Sequence, residues 1–289
     1  MFTLPNLFAA IFTLIPFLSA AFFGDALRKR IQSLPIAIRL LLPSTLCLPY
    51  LLVTLATSSF HWVWFALYAL LPIAVTLLLH QAREADPNQT GNWRDYLVLI
   101  TLGLAVDLRW FEPAWPPHLA VFNKMIVLNA GIYGFLIRDL NGIGFDLRLR
   151  RRDLAIGLRE WALYTPIAIG LGLSLSFLHF HPHWPRLSQL AGAFFTFLFI
   201  AVPEELFFRG WLQNLLERRL ARTQALLLTS ALFGLSHFNK RALHFNWRYV
   251  LLAAIAGIFY GRAWRHDRRV GASAITHTTV DTLWSIWFR

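Results

Sequence analysis

Ten apolar stretches run along the chain at 6–23, 36–57, 61–80, 95–107, 118–137, 160–180, 188–208, 223–238, 248–264 and 272–288. Short polar breaks separate them, and most approach the roughly 20 residues that a helix needs to cross a bilayer. Alternation of apolar and polar residues persists nowhere, and no internal repeat is visible. The pattern predicts an all-α fold, a polytopic membrane helical bundle of about eight to ten transmembrane helices. The polar stretch "HQAREADPNQTGNWRD" (80–95) reads as a solvated loop. The first run lacks a preceding basic region, and Arg28, Lys29 and Arg30 follow it. That order reads as a retained first helix with its N-terminus outside.

Composition strengthens the membrane reading. The chain is 57% hydrophobic and only 15% charged, where a soluble domain has about a quarter of its residues charged. Mean hydropathy is +0.51. The net charge of +12 does not point to nucleic acid, because the basic residues form short clusters between apolar runs rather than one patch. The clusters fall at 28–39, 148–159, 209–222 and 262–269. If all four face the cytoplasm, an even number of spans separates each neighbouring pair, and the count closes only when the short fourth run is included. The segment 144–161 reads as an orienting cytoplasmic loop, with a surface-lying amphipathic helix as the alternative. Cys47, the single cysteine, lies in an apolar run and excludes a disulfide framework or a cysteine-based metal site.

The seventh run changes the picture by carrying charge. In "FFTFLFIAVPEELFFRGWLQ" (194–213), Glu204 and Glu205 stand side by side and Arg209 follows. Glu205 and Arg209 are four residues apart and share a helix face. Glu204 points about 100° away. One carboxylate thus has a local counter-ion and the other is left for chemistry. Desolvation disfavours the charged form of such a carboxylate, which suits a general base or acid. Ionisable groups inside spans are costly and mark function more often than packing.

Two further runs add partners. His237 ends the eighth run, with Phe233 one turn earlier on the same face. The turn joining the seventh and eighth runs falls near 221, almost midway between Glu204 and His237, so an antiparallel hairpin puts the two at one depth. His277 and Asp281 in the tenth run are four apart and also share a face. The same bookkeeping puts His277 close to the basic loop at 262–269 and His237 far from its own basic turn. One helix must therefore be broken, tilted or short. Pro203, Gly257 and Gly261 are the candidate breaks.

The three pieces together resemble a family. "EELFFR" fits E-E-x-x-x-R, "FGLSH" fits F-x-x-x-H and "HTTVD" fits H-x-x-x-N/D, in the order found in the CAAX protease and bacteriocin-processing (CPBP, or Abi) family of intramembrane glutamate-dependent proteases. The resemblance spans about residues 190–289. It implies an intramembrane endopeptidase that cleaves a peptide bond of a membrane-associated protein or peptide. Glu204 and His237 would activate a water. His277 and Asp281 would support the oxyanion, with Glu205 and Arg209 as supporting residues. Asp281 stands where the family often has Asn. An ionised Asp cannot donate a hydrogen bond, but it can accept one from His277 and fix its tautomer.

Other readings stay open at this point. Zinc held by Glu204, His237 and His277 is one, although no H-E-x-x-H signature is present and the reading without a metal or other cofactor is preferred. A transporter or ion relay that uses the buried Glu and His residues is another. The three histidines of "HFHPHWP" (179–185) read as an interfacial loop rather than a metal site. The chain divides into N-terminal membrane helices with a basic loop (1–159) and a catalytic helical core (160–289). Its partners are membrane lipid and a peptide or protein with a membrane-associated tail. Compact loops and basic clusters fit a bacterial inner membrane.

Overall fold

The computed structural model describes residues 3–116, 119–240 and 244–288. Among them are ten helices: α1 (Leu4–Gln32), α2 (Ile36–Ala56), α3 (Trp62–Ala85), α4 (Trp93–Asp107), α5 (Val121–Arg138), α6 (Arg151–Ser174), α7 (Leu187–Leu216), α8 (Arg222–Leu235), α9 (Trp247–Asp267) and α10 (Val270–Trp287). Each of the ten apolar runs overlaps one of them. No strand is present among the described residues beyond an isolated bridge between Phe180 and Phe288. The fold is an all-α helical bundle. Four helices (α1, α2, α3 and α7) are long and apolar enough to cross a membrane on length and composition alone. With only 15 and 14 residues, α4 and α8 are shorter than an ordinary span.

The chain separates into two compact units, Met1–Asn141 and Gly142–Arg289. The first holds α1 to α5. Prolines punctuate its helices: Pro16 lies within α1, Pro72 within α3, and Pro43 opens a tighter turn at Leu42–Cys47 inside α2. Tyr50, Tyr68 and Trp115 pack edge and face together, and the Trp115 indole donates to the Tyr68 hydroxyl at 2.6 Å. At one end Arg138 is fully buried between Asp95 (2.8 Å) and Asp86 (2.6 Å). Asp95 also closes the capping box with Asn92 that starts α4.

The second unit holds α6 to α10. Helix α6 starts at Arg151, well before the sixth apolar run, and ends six residues short of that run's end; the Asp153 carboxylate accepts from the Arg150 amide at 2.8 Å and caps its first turn. The segment 151–161 is therefore helix rather than loop, packed along one face and exposed along the other. Asp153, Ile156, Gly157 and Glu160 are buried on its inner face. Tyr164, Phe208, Phe233, Ala256, Phe259 and Tyr260 form the core, drawn from α6, α7, α8 and α9.

The expected break lies in α7. Pro203 and the two glutamates occupy a short regular α turn, Val202–Glu205, between two wider stretches at Phe197–Ala201 and Leu206–Gln213 with i→i+5 spacing. Such wide turns shift the side-chain register of a helix and occur often at functional sites. Gly257 and Gly261 are not breaks, since α9 runs through both. They permit close approach. A Cβ at Gly257 would meet the Ser230 backbone at 3.0 Å, and one at Gly261 would meet Leu226 and Gln213.

Candidate active site

The pair from α7 divides its surroundings unequally. Glu205 is completely buried, and Arg209 lies beside it, also without exposed surface, with Nη1 3.0 Å from Glu205 Oε1. Arg209 Nη2 donates to the Gly257 carbonyl at 3.0 Å, which the missing side chain at Gly257 allows it to reach. The guanidinium also sits 4.5 Å over the Phe233 ring, a cation–π contact. Phe233 thus links the first motif to the second.

Two partners of Glu205 come from α10. His277 Nδ1 is 2.9 Å from Glu205 Oε1, and the Ser273 hydroxyl bonds Glu205 Oε2. Ser273 and His277 are four apart on one face, so both reach the same carboxylate. The Tyr260 ring stacks on His277 with centroids 4.7 Å apart and planes 16° from parallel. Glu205 therefore fixes the orientation of His277, and Nε2 is the nitrogen turned to the remaining acids. It lies 3.6 Å from Asp281 and 4.0 Å from Glu204. At 3.6 Å Asp281 is beyond hydrogen-bond distance. The hydrogen bond expected between Asp281 and His277 is made by Glu205 instead.

Glu204 faces the other way. About a quarter of its side chain is exposed, and Lys240 Nζ stands 3.7 Å from Oε1. It lies within electrostatic reach of His237. His237 follows the last turn of α8, and its Nδ1 faces the Phe233 carbonyl at 2.8 Å. The ring packs between Phe233 and Tyr249, both at 4.9 Å between centroids. His237, His277, Asp281, Tyr249, Tyr260 and Trp284 line a largely apolar pocket.

The structure brings together Glu204, Glu205, Arg209, Phe233, His237, His277 and Asp281. It adds Ser273, Tyr260 and Lys240, which sequence reasoning missed. The signal for Ser273 was its spacing from His277. Lys240 had only its nearness to His237 in the chain, and nothing local marked Tyr260. Among the described residues, no three His, Cys, Asp or Glu side chains group so as to hold a metal ion. Glu204, His237 and His277 do not form such a set as they stand. The loop histidines 179, 181 and 183 are exposed, and the His183 carbonyl accepts from the Trp287 indole at 2.9 Å.

Residues 186–283 match the family described as type II CAAX prenyl endopeptidase Rce1-like. Over this segment the chain is similar to the CAAX protease family, which indicates a membrane protease. The match covers about a third of the chain and contains all three motifs. No curated protein and no solved structure matches the chain. A protease of this kind acts on a peptide or protein, and its four long apolar helices make it an integral membrane protein.

Proposed function

We propose that the protein is an intramembrane endopeptidase in which Glu204 and His237 activate a water against a peptide carbonyl. The observation that carries the reading is the division between the adjacent glutamates. Glu205 is committed to Arg209, Ser273 and His277, while Glu204 is partly exposed on the side of His237. Glu204 takes a proton from the water as its oxygen bonds to the carbonyl carbon. The oxyanion that forms is stabilised by His277, whose positive charge Asp281 supports from 3.6 Å. The proton then passes to the leaving amine as the C–N bond breaks. A positioned base and preorganised donors in a site poor in bulk water account for most of the rate enhancement. No step is routed through a metal.

The substrate is a protein or peptide with a membrane-associated tail, for which the apolar pocket beside the histidines offers room. The family name adds that the tail carries a prenyl group. A bacterial inner membrane is the setting proposed from the basic clusters and compact loops. Glu204→Gln keeps size and hydrogen bonding but removes basicity. At matched folded concentration it abolishes cleavage of a prenylated reporter peptide, and its thermal unfolding is unchanged. Full cleavage by this variant would end the water-activation reading, and loss of cleavage after exhaustive chelation would move it to zinc.

A further inference from the structure

Three basic stretches far apart in the chain meet at one end of the second unit. The start of α6, the α7–α8 turn and the α9–α10 junction all lie there, joined by ion pairs. Arg269 binds Asp153 at 2.8 Å and Asp146 at 3.1 Å. Arg152 binds Asp267 at 2.7 Å, Arg262 binds Glu160 at 3.0 Å, and Arg268 binds Glu217 at 2.8 Å. The segments 146–160, 217–222 and 262–269 contain five, three and four arginines, against three, one and one carboxylates. Seven positive charges remain in excess.

Charge is also sorted by depth. The Asp153, Glu160 and Glu217 side chains are at most 2% exposed, whereas Arg148 and Arg152 are 70% and 65% exposed. Arg265 and Arg269 are drawn inward and Asp146 and Asp267 are a fifth to a quarter exposed, but with twelve arginines against five carboxylates the outer surface is cationic. Leu149, Leu154 and Leu158 stand among these arginines and are 49%, 50% and 39% exposed. Arg151, Leu154 and Leu158 fall on one helix face. A surface serving only as a solvated cap has no use for the leucines. Arginine heads at phosphate level above apolar side chains at acyl level are how a protein grips a lipid headgroup region.

The geometry points to a binding surface for anionic lipid headgroups at this end of the second unit, formed by Arg150, Arg151 and Arg159 around Leu154 and Leu158, with Arg222 at the α7–α8 turn of the same end. Arg159 is half exposed although paired with Glu160 at 2.7 Å. Guanidiniums pair with phosphate in a planar, two-pronged manner that ammonium groups do not reproduce. The surface holds the α6, α7–α8 and α9–α10 ends against the leaflet after folding, beyond any role of its charges in setting orientation during insertion.

The test uses the full chain, purified in neutral detergent and stripped of lipid. It is titrated with short-chain phosphatidylglycerol, phosphatidylcholine or inorganic phosphate, and read by native mass spectrometry and thermal unfolding. Phosphatidylglycerol should be retained and should raise the unfolding temperature, while the other two should not. Each of Arg151→Glu and Arg222→Glu should weaken phosphatidylglycerol binding about fivefold. Arg248→Glu, about 30 Å away at the opposite end of the 21-residue α9, should leave it unchanged. Equal binding of phosphatidylcholine, equal stabilisation by inorganic phosphate, or equal weakening by Arg248→Glu would each overturn the proposal. If a charge reversal prevents folding, Arg151→Gln and Arg222→Gln replace it, with a smaller loss in the same order.

Discussion

Replacing Arg209 by Met tests whether the buried ion pair holds the three motifs together. The substitution keeps most of the side-chain volume and removes the guanidinium. Three contacts go with it: the Glu205 carboxylate at 3.0 Å, the Gly257 carbonyl at 3.0 Å and the Phe233 ring at 4.5 Å. Removing one partner of a buried pair costs about 3–5 kcal/mol, because a desolvated charge is left uncompensated. Here Glu205 keeps Ser273 and His277, so the low end applies, about 3 kcal/mol. The Gly257 carbonyl loses only a second donor, since it lies within α9 and keeps its helical partner. The assay is thermal unfolding in neutral detergent, with activity measured at equal folded concentration. In the double variant Arg209→Met/Glu205→Gln the unpaired carboxylate is gone, and roughly half of the loss should be recovered. Parent-like stability in Arg209→Met, or a double variant worse than the sum of the singles, would refute the reasoning.

Gly234→Ala should destabilise by about 2 kcal/mol, because the added methyl would meet the Val250 carbonyl at 2.5 Å and the Ala254 amide at 2.9 Å and force α8 from α9; unchanged thermal unfolding would show that the helices have slack. Asp146 lies in the loop before α6, where burial opposes its ionisation but hydrogen bonds from Arg148 and Arg269 prevail and hold its pKa at about 2, below the ordinary 3.8. A lowered carboxyl stabilises above 3.8, and the stability is lost as pH falls toward 2, so about 2 kcal/mol should disappear in that window and Asp146→Asn should abolish this dependence; an equally steep acid loss in the variant would exclude the ion pair as its source. Reporter fusions near residues 30, 150, 215 and 267 should all report the cytoplasmic side, and opposite sides for 150 and 215 would mean that α6 and α7 do not both span.

What could be read from the chain was whatever depends on near neighbours. A run of apolar side chains has to bury its backbone hydrogen bonds in a helix, so each of the ten runs became one. The Glu205–Arg209 pair is one turn long, and helix geometry alone puts the two groups together. The same holds for His277 and Asp281, which share a face, although not within hydrogen-bond distance. The start of α6 was misjudged because Arg151, Arg152 and Arg159 look like a solvated loop, and their outward position is visible only once Asp153 and Glu160 are seen paired inward with Arg269 and Arg262.

The tertiary structure decided which helix face meets which. Periodicity says that His277 lies on a face but not that the face turns to Glu205, or that Tyr260 stacks on its ring. Those contacts need two wide turns around Pro203, which reset the register of α7, and glycines on α9 that let Arg209 and Ser230 approach its backbone. Local sequence preference is blind to both, because the energy that selects them is packing and burial shared between segments about 70 residues apart. The chain by itself determined the helices and the acid–base residues they carry. Packing decided that Glu205 is enclosed by Arg209, Ser273 and His277 while Glu204 stays partly exposed beside Lys240.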